Sequence, residues 1–138
     1  MTSRIEQAIQ RNLCSSSTIG KFPESLRSAI EYSVFPGGAR IRPTILISVA
    51  KACGDDMPEI TDAAGSALEM IHCASLVHDD LPCFDDGDTR RGKPTVHKAY
   101  GENTAVLAGD SLIINAFNCL ASVCLLYTSP SPRDRLKS

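Results

Sequence analysis

The sequence predicts an all-α protein, a helical bundle with one apolar helix through its middle. Three observations carry this. No segment sustains the period-two alternation of a half-buried strand, and tryptophan is absent. Proline and glycine punctuate the chain at helix-length intervals, at Pro36-Gly37-Gly38, Gly54 and Pro58. Between Ala63 and Val77 the chain is small and apolar nearly all round, the pattern of a helix enclosed by others.

The elements follow in order. A polar amphipathic helix is expected near residues 2–13, with a Ser-rich break at Ser15–Thr18. Pro23 opens a second helix to about Val34, because proline at a first helical position gives up a hydrogen bond the helix never had. Pro36-Gly37-Gly38 stops it. Pro43 starts a third helix that ends near Cys53-Gly54. The longest helix is expected from Pro58 to about Phe84, followed by a polar loop and a strongly apolar helix from about Asn103 to Leu120. From Cys124 the pattern changes: Cys124-Leu-Leu-Tyr-Thr-Ser-Pro-Ser-Pro-Arg-Asp134 has two prolines, opposite charges and no core periodicity. Residues 124–138 resemble the in-frame translation of a transposon-based sequencing adapter, which would make them a non-native tail on a domain of residues 1–123. The other reading is an ordinary disordered C-terminus.

At 138 residues with net charge −2 and mixed signs, the chain has no electrostatic basis for binding nucleic acid or an anionic membrane surface. Its six cysteines form no CxxC pair and no zinc spacing, so they read as small buried thiols in a reducing compartment. No signal-peptide core precedes the first helix. No membrane span is expected, since Asp110 interrupts the best candidate and Asn115 and Asn118 follow it. The expected location is the cytoplasm, or a plastid stroma if a transit peptide has been lost.

Chemistry concentrates between Asp79 and Thr95, where five carboxylates within ten residues precede Arg90, Arg91 and Lys93. Crowded like charges raise one another's energy, and a helix C-terminus repels carboxylates further. A bland acidic end there would be destabilising, so the cluster favours a divalent cation. Hard oxygen ligands select Mg²⁺, which takes one or two carboxylates, waters and phosphate oxygens. Paired guanidiniums suit phosphate. Asp85 lies six residues after Asp79, off its helical face, but Pro82 between them forces a kink or bulge that returns it. Asp80, about 100° round, braces the first ion or holds a second. His72 shares the face of Asp79, about 10 Å away along the axis; the alternative for His72 is a core histidine bonded to a backbone carbonyl. Gly37-Gly38 before a helix start exposes backbone N–H groups to an anion, with Arg40 and Arg42 available to grip it.

Together these elements closely resemble the trans-isoprenyl diphosphate synthases, the farnesyl and geranylgeranyl diphosphate synthases. The resemblance rests on Gly37-Gly-Ala-Arg-Ile-Arg-Pro43, on Glu69 through Asp80, and on Asp79–Thr95 continuing through His97 to Leu107-Ala-Gly-Asp-Ser111. It implies an isoprenoid synthase helical bundle, truncated here, that is a homodimer at full length. It implies a Mg²⁺-dependent prenyltransferase that joins isopentenyl diphosphate to an allylic diphosphate and yields a short-chain product. Asp79 and Asp85 would be metal ligands with Asp80 in support. Arg90 would contact the allylic diphosphate; Arg91, Arg42 and His72 would contact isopentenyl diphosphate. Ala74 and Ser75, small residues about one turn before Asp79, would leave the floor of the product cavity open and favour geranylgeranyl over farnesyl diphosphate.

Two departures temper the resemblance. Ala39 stands where the family's loop carries lysine, which should weaken isopentenyl diphosphate binding by about 1.5–3 kcal/mol. The second aspartate-rich motif would lie beyond residue 123, so the chain alone is not expected to catalyse condensation. A terpene cyclase is the first rival, opposed by Arg90-Arg91-Gly-Lys-Pro and Gly-Gly-x-Arg-x-Arg; a non-catalytic partner subunit is the second. An EF-hand fails, because counting back from Gly87 puts Pro82 and Phe84 at ligand positions.

Overall fold

Pro58 occupies the first turn of the helix around which the rest assembles, α4 (Pro58–Asp79). The computed structural model describes residues 2–14 and 19–128. Before α4 come α1 (Thr2–Cys14), a 3-10 turn (Ile19–Lys21), α2 (Glu24–Val34) and α3 (Ile41–Ala52). After it come a hairpin of β1 (Thr89–Arg90) and β2 (Lys93–Pro94), then α5 (Val96–Tyr100) and α6 (Glu102–Thr128). The all-α expectation holds, with α4 touching α1, α2, α3 and α6.

Small side chains let the two longest helices approach. Ala67, Met70, Ala74 and Val77 of α4 are buried with Ala105, Ala108, Leu112 and Ala116 of α6. Where α4 brings His78 against α6, the facing residue is Gly109, and a Cβ there would overlap the imidazole. Each fully buried Met or Leu contributes about 1.5–3 kcal/mol. The first helix is fastened by charge: Arg4 Nε donates to Asp62 at 2.7 Å and its Nη1 to Asp55 at 2.8 Å.

Several boundaries differ from expectation. The long helix ends at Asp79, not near Phe84. Pro82 has no N–H to continue the ladder and disfavours helical geometry at Leu81, so it terminates the helix instead of kinking it. The third helix begins at Ile41, with Pro43 inside its first turn. The polar loop contains the hairpin and α5. The last helix runs to Thr128 without a break at residue 123; the rest of the expected tail lies outside the described residues. By length and composition α6 is apolar enough to cross a membrane, contrary to the sequence reading, yet Ala105, Ala108, Leu112, Ala116 and Cys119 along it are buried in the core. The cysteines are also mixed: Cys73 and Cys119 are buried, their thiols pushed up to about 11 by burial, whereas Cys53 and Cys83 are exposed.

Candidate diphosphate-binding site

At the end of α4 the backbone turns back on itself. Asp80 N–H still bonds Leu76 O, then Phe84 N–H bonds Leu81 O at 2.9 Å and Asp85 N–H bonds Asp79 O at 2.9 Å. The turn therefore brings Asp85 back beside Asp79, as expected, but by ending the helix. Both carboxylates are exposed, with no side-chain hydrogen bond or ion pair among the described residues.

Asp80 is different. It is buried, and Arg90 grips it with two bonds, Nε to Oδ2 at 2.7 Å and Nη2 to Oδ1 at 2.8 Å. That bond to Asp80 raises the Arg90 guanidinium pKa above its ordinary value, working against burial. Asp80 and Arg90, expected in support of the metal and at the allylic diphosphate respectively, are thus paired with each other here.

Arg90 and Lys93 are paired across the hairpin, and Arg91-Gly92 form its two-residue turn. Both turn residues have positive φ, 53° and 79°, the requirement of a tight type I′ connection. The turn presents Arg91 toward the Gly38 loop, where a Cβ on Gly38 would sit 3.0 Å from Arg91 Nη2. A cleft of about 120 Å³ follows, lined by Gly38, Ala39, Arg42, His72 and Arg91, with Arg40 and Glu69 at its back. Arg42 Nη1 lies 3.4 Å from His72 Nε2. His72 is not a core histidine bonded to a carbonyl. Partial burial first, and the Arg42 charge second, hold its pKa below the ordinary value. Two guanidiniums and an imidazole around one cleft suit an anion. Ala39 is exposed at its mouth.

Arg40 is enclosed within the fold. It is 2% exposed and adopts left-handed φ at the start of α3. Its Nε bonds Glu6 at 2.7 Å, its Nη1 bonds Glu69 at 3.0 Å, and its Nη2 bonds Val34 O at 2.7 Å. Burial opposes its charge, and the hydrogen bonds to Glu6 and Glu69 outweigh that. Gly37, at φ 77°, makes room: a Cβ there would overlap the guanidinium.

Ala74 and Ser75 also separate. Ala74 is fully buried in the core, while Ser75 is exposed, its hydroxyl donating to His72 O at 2.7 Å. Ser75 shares the face of Ile71 and Asp79 at i±4 spacing; Ala74 faces the core. The two residues expected at the floor of the product cavity therefore differ in exposure in this structure. Sequence reasoning gave Lys93 no particular role and passed over Tyr32. The Arg-Gly pair at a two-residue turn was the signal that would have placed Lys93 opposite Arg90.

The fold and site define a helical protein with an anion cleft beside an aspartate pair. Comparison with known proteins extends this. Residues 23–135 match the polyprenyl synthetase family model, and the chain belongs to that family. It is 63% identical over 123 residues to a geranylgeranyl diphosphate synthase of Rhodobacter capsulatus, covering 89% of this chain and 42% of that protein. It is 51% identical to a farnesyl diphosphate synthase of Bacillus subtilis, covering 83% of this chain and 38% of the relative. Among solved structures, an isoprenoid synthase family member from Thermotoga neapolitana superposes with a TM-score of 0.79 at 43% identity, over 88% of this chain and 45% of that one. A geranyltranstransferase from Thermotoga maritima gives 0.78 at 36% identity, over 88% and 44%. The chain thus spans less than half the length of these relatives.

Proposed function

We propose that this chain, as part of a protein of its relatives' full length, belongs to a prenyltransferase that condenses isopentenyl diphosphate with an allylic diphosphate to a short-chain product of farnesyl or geranylgeranyl length, and that the 138 residues alone do not catalyse the condensation. One observation carries the reading: α4 bears His72 in a cleft with Arg42 and Arg91, and at its end holds Asp79 and Asp85 in one turn. Among the described residues no three His, Cys, Asp or Glu side chains gather at one point. Two exposed carboxylates nevertheless fit Mg²⁺, which completes its shell with waters and phosphate oxygens. Asp79 and Asp85 would hold it, and bound there it would neutralise charge developing on a leaving diphosphate. Arg42, His72 and Arg91 orient the other diphosphate by charge-assisted hydrogen bonds. The Asp80–Arg90 pair keeps the turn rigid between the two anions. Exposed Ile114 and Phe117 on α6 support a homodimer as part of the same proposal, and exposed free thiols support a reducing compartment, cytoplasmic or plastid.

The test is calorimetric titration of isopentenyl diphosphate and of dimethylallyl diphosphate into the chain, with and without Mg²⁺. Asp79→Ala is expected to abolish the Mg²⁺-dependent part of allylic diphosphate binding. Asp86→Ala, outside the motif spacing, should leave it unchanged. Equal effects of the two substitutions would mean that the metal is misplaced.

A further inference from the structure

Lys93 lies in the basic run, yet its ammonium points away from the anion cleft. Its Nζ donates to Tyr32 O and to Phe35 O, each at 3.0 Å. It also sits 3.9 Å from the centroid of the Tyr32 ring. Those carbonyls belong to the last turn of α2 and its C-cap, where unpaired acceptors and the helix dipole favour a cation. Beside this contact Tyr32 Oη donates to Pro94 O at 2.7 Å. Two ties therefore bind strand β2 to the end of α2.

Both walls of the cleft hang from that junction. Phe35 comes three residues before Gly38, which lines one wall; Lys93 comes two residues after Arg91, which forms the other. Lys93 is also the cross-strand partner of Arg90. Arg91 is a non-glycine residue at φ 53°, a conformation that persists only where its surroundings enforce it. We propose that Lys93 is a positioning residue that sets the gap between the Gly38–Arg42 loop and the Arg90–Arg91 turn, and so the fit of the cleft to a diphosphate. The proposal rests on the functional reading above and assigns to it a residue that touches no ligand. Burial, with Arg91 second, lowers the Lys93 pKa, as expected for a partly desolvated strut.

The experiment compares the parent chain with Lys93→Met, which keeps the apolar stem, and with Lys93→Arg. Two quantities are read: affinity for inorganic diphosphate by calorimetry, and amide hydrogen exchange along the chain. Lys93→Met should bind diphosphate about tenfold more weakly, the weight of one charge-assisted hydrogen bond. Exchange should quicken in residues 89–94 and 36–39 while α1 and α4 keep their protection. The loss should persist at about 0.5 M salt, where the Debye length is roughly 4 Å and a remote charge is screened. Lys93→Arg, able to reach the same carbonyls, should recover most of the affinity. A deficit that vanishes in salt, or exchange unchanged in the hairpin, overturns the proposal. If Lys93→Met does not fold, Tyr32→Phe decides by the same measurements, since it cuts only the parallel tie; a smaller change in the same direction supports the strut, and none overturns it. If the parent binds no diphosphate, the functional reading fails, and the exchange data alone judge the strut.

Discussion

Arg40 and Arg42 stand two residues apart, and Asp79 and Asp80 are neighbours, yet in each pair one member is buried and matched while the other faces solvent. Arg40 is enclosed by Glu6, Glu69 and two carbonyls; Arg42 reaches only toward His72. Asp80 is held by both nitrogens of a guanidinium; Asp79 is exposed. Each step along a helix turns about 100°, so neighbours of like charge meet different environments. The buried members fix where the loops lie. The exposed members face solvent.

The comparison breaks most sharply at Arg40. Arg40→Ala leaves Glu69 buried without its partner and should destabilise the fold by about 3–5 kcal/mol, read as a lowered urea midpoint. Arg42→Ala should change the unfolding free energy by no more than about 0.5 kcal/mol, its effect falling on diphosphate affinity. Equal losses of stability would erase the distinction.

Next comes the aspartate pair. Asp80→Asn weakens two charge-assisted bonds to Arg90 and should cost about 1.5–3 kcal/mol. Asp79→Asn should leave thermal unfolding nearly unchanged and act only on Mg²⁺-dependent binding. A destabilised Asp79→Asn would show that this carboxylate has a structural partner.

Ala74 and Ser75 repeat the contrast without charge. Ala74→Phe forces a ring into the packed α4–α6 seam and should cost about 1–3 kcal/mol, whereas Ser75→Phe projects outward and should fold normally. If product length is governed from this helix face, then in a synthase of full length carrying these residues Ser75→Phe shortens the product and Ala74→Phe acts only through stability. Parallel unfolding curves and product chromatography separate the two.

The smallest effect concerns His72. Its pKa is held down in the folded chain, so below about pH 6.5 the unfolded chain binds the proton more readily. Stability therefore rises with pH through that window and levels off above it. His72→Gln should flatten a shallow slope in the urea midpoint between acid and neutral pH. An unaltered slope would assign the dependence to other groups.

Much of this was legible in the residues. Pro58 and the small apolar run after it announced α4 because periodicity and punctuation are local properties. The Asp79–Asp85 return was readable too, since proline's missing N–H is a covalent fact. What misled was placement around the axis and beyond the loop. Nothing near Arg40 in the chain reveals that Glu6 and Glu69 converge on it, and the hairpin was hidden inside a polar stretch whose strands are only two residues long.

By itself the sequence determined the helices, the family motifs and which residue types crowd near the end of α4, because those depend on the order of side chains and on backbone chemistry. Tertiary structure alone decided which of two like charges is enclosed in the fold and which is left facing solvent. That choice depends on what arrives from distant segments, Glu6 at Arg40, Arg90 at Asp80 and Tyr32 at Lys93. The free energy of a charge is set by its surroundings in space, and neighbours in sequence do not share them.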